Sequence, residues 1–201
     1  MKALGKGSIA SIVEAGLGIA RVVLWALLGL WAAALLAYLA FIGMLGAGAL
    51  DPALADIGNN DTLRIRIFGV DSGAIEDVRW TDWHLIVPAL LMAGVGLGGS
   101  LIIVTRLRQM FDSFRSGEPF RRENATHLRV IWITMLVLEL ARYALLVAFG
   151  VLLSTFGGPN IDANYALTID VSTWGSILIL IVLAEVFREG ARLKEEQELT
   201  I

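Results

Sequence analysis

Glu139 and Arg142 are the residues whose setting most invites chemistry, because an acid and a base stand alone inside an apolar run from Val130 to about Phe156. A spacing of three puts them about 60° apart on a helix, on one face and within reach of each other. Glu139 lies ten residues past Arg129, or about 15 Å along a helix, close to the midplane if the run crosses a membrane. A charge there costs at least about 2.5–3.5 kcal/mol on insertion scales, so the pair should face the protein interior. Such a pair could relay protons or ions, or oppose a ligand's charge. It could equally be a structural ion pair that fixes helix packing. The structural role is favoured, because transport paths bring further polar residues and broken helices, and these runs contain few of either.

The remaining candidates are weaker. Glu185 lies about one turn before Arg188 and could pair with it, or with Arg106 or Arg108. Asn124 and His127 follow Pro119; His127 has no carboxylate or second histidine beside it at ligand spacing, so a hydrogen bond at the interface is expected rather than a metal. His84, after Trp83, reads the same way. Gly94-Val95-Gly96-Leu97-Gly98-Gly99 looks superficially like a nucleotide loop but lies inside an apolar run with no strand before it. Gly94 and Gly98 instead have the small-xxx-small spacing that lets helices approach in lipid, and Gly29, Ala33 and Ala37 repeat it. That predicts contact between the first and second helices. With zero cysteines, thiol catalysis, disulfides and cysteine metal sites are excluded. No serine–histidine–acid or metal-ligand spacing stands out, so the expectation is a non-enzymatic protein without cofactor.

Four apolar stretches must position these residues: Val22 to Leu50, Leu85 to Thr105, Val130 to about Phe156, and the shorter Val171 to Phe187. Spanning a hydrocarbon core about 30 Å thick takes roughly 20 residues. With a mean hydropathy of +0.72 and 57% apolar residues, the chain reads as an all-α membrane protein with four transmembrane helices. The expected layout is a first span at about 20–50, an outer loop at 51–83, a second span at about 84–107, and a cytoplasmic connection at 108–129. A third span at about 130–155, an outer loop at 156–170, a fourth span at about 171–190 and a tail at 191–201 complete it. The first run is far longer than the roughly 7–15 residues of a signal peptide, so an uncleaved helix is expected. Residues 3–20 read as a weakly amphipathic helix lying along the membrane.

Twelve basic residues fall at the termini and in the 108–129 neighbourhood, against three in the first outer loop and none in the last. Basic residues in short loops mark the cytoplasmic face, so both termini and the connection are expected inside, in a cytoplasmic membrane. In the outer loops, Thr62–Phe68 and Tyr165–Val171 alternate polar and apolar residues. Alternation of period two argues strands, and an isolated pair of strands is barely stable. The two loops are therefore expected to pair as a small extracytoplasmic β lid, with Asp77 to Trp80 as a short third strand. Such a lid could be an external sensor or purely structural.

The connection reads as helix, break, helix, with Gly117-Glu118-Pro119 as the break and Phe111, Phe114 and Phe120 beside it. Its five arginines, with Arg106 just before it, could reach lipid phosphates. Three acids among them and the adjacent membrane argue against direct nucleic-acid binding. The pattern Phe114-x2-Gly117-x-Pro119-Phe120-x3-Asn124-x3-Leu128-Arg129 resembles the connecting segment of the DUF2975 family, small bacterial membrane proteins of unknown function. The chain's end is similar to that family's C-terminal signature: Val186-Phe187-Arg188-Glu189-Gly190-Ala191-Arg192-Leu193, then Glu195, Glu198 and Leu199-Thr200-Ile201. The resemblance implies a four-helix bacterial inner membrane protein, and a setting beside a small helix-turn-helix transcription regulator. It brings no activity with it. The expectation is an interaction protein that presents Gly117 to Leu128 and the tail, together with Glu185, to a cytoplasmic partner, in contact with membrane lipid and compatible with a homo-oligomer. The alternative is a small transporter, channel or proton-coupled subunit built on Glu139 and Arg142.

Overall fold

The computed structural model describes residues 9–51, 63–67, 70–75, 81–116, 118–156 and 170–198. Four long helices dominate them: α1 (Ile9–Gly46), α2 (Trp83–Arg115), α3 (Arg122–Phe156) and α4 (Val171–Glu198). Each contains a span long and apolar enough to cross a membrane. Only 6% of the apolar window of α1 and 22% of that of α2 is buried by the protein itself. In water such surface would be a severe liability, whereas lipid covers it without cost, and the chain is thus a multi-pass membrane protein by construction.

The helix ends have local causes. α1 stops at Gly46, short of the expected Leu50, because Gly48 adopts φ +69°. The Gly48 amide donates to the Leu45 carbonyl (3.1 Å) and the Ala49 amide to the Met44 carbonyl (2.9 Å). This is the Schellman closure, which glycine permits at no steric cost. At its other end α1 is continuous from Ile9, so residues 9–20 extend the first long helix rather than forming a separate one. α4 is capped by Asp170, whose Oδ1 accepts from the Ser172 amide (3.0 Å) and whose Oδ2 accepts from the Thr173 hydroxyl (2.7 Å). Val171 therefore opens a helix and does not end a strand.

Among the described residues, the β structure is a hairpin within the first outer loop. β1 (Leu63–Ile67) pairs antiparallel with β2 (Val70–Ile75), its neighbour in the same loop, with a register shift between Arg64 and Arg66. Two residues separate these strands in sequence, so the connection between them closes at little entropic cost. Residues 157–169 and 77–80 lie outside the described residues.

The chain divides into two compact units. One contains the beginning of α1, the end of α2, the beginning of α3 and all of α4; the other contains the rest of α1, α2 and α3 with the hairpin. In the second unit, the Trp31 indole donates to the Leu90 carbonyl (2.8 Å) and its ring fills the place a Gly94 side chain would take. Helices α1 and α2 thus meet at Gly94, but through a tryptophan. A side chain at Gly29 or Gly98 would touch nothing, so the small-residue spacing is not what joins them. In the first unit Gly99 accommodates Leu138 of α3.

Candidate functional site

Asn124 organises the α2–α3 connection. It is fully buried, and its Nδ2 donates to the Pro119 carbonyl (2.8 Å) and to Ser113 Oγ. Ser113 in turn donates to the Met110 carbonyl (2.8 Å). The end of α2, the proline turn and the start of α3 are therefore joined by one buried polar chain, in which Asn124 Nδ2 meets both its acceptors while its Oδ1 has no partner among the described residues. Leu128, one turn further on and also buried, packs below it. Glu118 closes the turn from the other side through its amide on the Ser113 carbonyl (3.2 Å) and its carboxylate on Arg121 (2.6 Å).

Four phenylalanines then fasten this connection to α4. Phe111 meets Phe114 edge-on, with centroids 5.9 Å apart. Phe187 of α4 lies between Phe114, stacked at 6.0 Å, and Phe120, tilted at 5.7 Å. Aromatic pairs at these separations add about 0.5–1.5 kcal/mol each beyond the area they bury. Gly190 stands under the Phe120 ring; a Cβ there would come within 2.7 Å of it. Nearby, Arg122 bridges to Glu195 (2.9 Å) and Arg115 to Glu14 of α1 (2.9 Å). Both bridges are largely exposed, so they orient more than they stabilise.

The structure thus brings Phe114, Pro119, Phe120, Asn124, Leu128, Phe187 and Gly190 into one assembly. Arg129, Glu185 and Arg188 are exposed and Glu189 half-buried on the same unit. Glu185 pairs with Arg188 on its own helix, and Glu189 with Arg192 (2.6 Å). Gly117, Leu199, Thr200 and Ile201 lie outside the described residues. Sequence reasoning missed Ser113, whose only signal was a polar residue among apolar neighbours, and Glu14. The hydrogen bond expected of His127 is absent at Nδ1, which is buried without a partner among the described residues.

Glu139 and Arg142 belong to the other unit. Both are buried, at 7% and 6% exposure. Arg142 donates through Nε to Glu139 Oε2 (3.1 Å) and through a terminal nitrogen to Oε1 (2.6 Å). Its guanidinium also lies 4.8 Å from the centre of the Tyr143 ring. Both carboxylate oxygens are engaged in this bidentate, charge-assisted pair.

A family model described as a protein of unknown function, DUF2975, matches residues 75–201. The chain belongs to this family. The DUF2975 match spans α2, α3 and α4 with every residue of the polar chain and the aromatic clip, and leaves α1 and most of the hairpin outside. Comparison with curated proteins and with solved structures gives no match.

Proposed function

We propose that this DUF2975 member is a non-enzymatic scaffold in a bacterial cytoplasmic membrane, with both termini and the α2–α3 connection inside, that docks a cytoplasmic protein. The observation that supports this reading is the clip. Two segments more than 60 residues apart in sequence are held as a single body by Asn124, the phenylalanines and Gly190. An exposed strip of Ser116, Pro119, Phe120 and Arg121 crowns it, beside the charged last turns of α4. A small helix-turn-helix transcription regulator is the partner the family analogy suggests, and sequestering it at the membrane is the corresponding mechanism.

Copurification in mild detergent from the native membrane tests this. The intact chain should capture a soluble DNA-binding protein, and removal of residues 189–201 should abolish the capture. An empty capture from the intact chain would sink the proposal. The transporter alternative has less support, since the Glu139 carboxylate is already satisfied on both oxygens by Arg142.

A further inference from the structure

Helices α3 and α4 border a groove of about 800 Å³ within the unit that carries the clip. From α3 it takes Arg122, Thr126, Arg129 and Trp132, and from α4 Ile181, Glu185, Arg188 and Arg192. The spacing of three or four places each series on one helix face. Charge is confined to one end of both series, and Trp132 and Ile181 stand at the other. Beyond them the helix surfaces continue with exposed Ile133, Val137, Leu178 and Val182. The groove therefore grades from guanidinium to hydrocarbon within about 15 Å, the α3 distance from Arg122 to Trp132.

The carboxylates of the groove do not cancel this. Glu185 is held by Arg188, Glu189 and Glu196 by Arg192, and Arg122 by Glu195, which leaves the charge of Arg129. Arg129 is exposed and has no carboxylate partner among the described residues. A guanidinium presents a planar fork that matches the oxygens of a phosphodiester, and tryptophan favours the glycerol level of a bilayer.

We infer that this groove seats one anionic phospholipid, with its phosphodiester on Arg129 beside Arg188, its glycerol region at Trp132 and its acyl chains on the apolar faces of α3 and α4. The inference goes beyond the protein-docking reading, because it assigns Arg129 and Arg188 to lipid. Its test uses only protein and lipid.

The full chain is placed in phosphatidylcholine nanodiscs, and phosphatidylglycerol with brominated acyl chains is titrated in. Quenching at Trp132 is read as the difference from Trp132→Phe. Half-quenching should occur at a several-fold lower mole fraction than with brominated phosphatidylcholine. Arg129→Gln should raise that midpoint about fivefold, the scale of one basic residue at an anionic surface. Arg129→Lys, which keeps the charge, should retain most of the preference and guards against a folding defect. Arg121→Gln removes the same charge outside the groove and should leave the midpoint in place. Equal quenching by the two lipids, or equal shifts for Arg121→Gln and Arg129→Gln, would overturn the site. Reversal of the quenching by excess inorganic phosphate would show a free-anion site and overturn the lipid assignment.

Discussion

At the scale of single residues, the Glu139–Arg142 pair shows how little a charge inside an apolar run says about transport. Its spacing announced that the two side chains could meet, and they do, with the carboxylate bound at both oxygens. A closed, buried pair makes a definite energetic prediction. Glu139→Ala leaves the Arg142 guanidinium buried without its carboxylate, which costs about 3–5 kcal/mol. Replacing both partners by apolar residues of similar size, Glu139→Leu with Arg142→Met, removes the charge altogether and should be close to neutral. Thermal unfolding in detergent would show the single variant melting far below the parent and the double variant close to it. A double variant as unstable as the single one would mean that the pair does more than pack helices.

At the scale of elements, the long helices were legible because lipid-facing surface is apolar in every direction and needs no partner to interpret. Their ends were less so. Tyr165–Val171 alternates like a strand, and over so few residues the period alone cannot separate a strand from a helix start. Asp170 followed by Ser172 and Thr173 was the overlooked cap signal. The aromatic clip was not legible as a contact at all, since no periodicity links Phe114 and Phe120 to a residue as distant as Phe187; only the resemblance singled these positions out. The clip is also where element docking can be measured. In an ordinary helix Gly→Ala is stabilising, by about 1 kcal/mol. At Gly190 the new methyl meets the Phe120 ring, and overpacking of this kind costs about 1–3 kcal/mol. Gly190→Ala should therefore lower stability by about 1 kcal/mol in the parent, yet raise it in a Phe120→Ala background, where the ring is gone. Stabilisation in both backgrounds would show that α4 does not carry the connection through Gly190.

At the scale of the whole molecule, the four apolar spans place the chain in a membrane, and the proposed orientation rests on its charge pattern. The arginines around the clip and along the α3–α4 groove are among the basic residues that outnumber those of the hairpin loop. If positive residues stay inside, the clip faces the cytoplasm, where a soluble regulator could meet it, and the hairpin faces out. Reversed, the docking proposal would lose its compartment. The absence of native cysteine allows this to be read directly. Ser72→Cys in β2 should react with a membrane-impermeant maleimide in intact spheroplasts. Glu118→Cys in the connection should react only after the membrane is opened, and should be labelled to a similar extent once it is. Labelling of Glu118→Cys in intact spheroplasts, with Ser72→Cys protected, would invert the topology and remove the cytoplasmic partner with it.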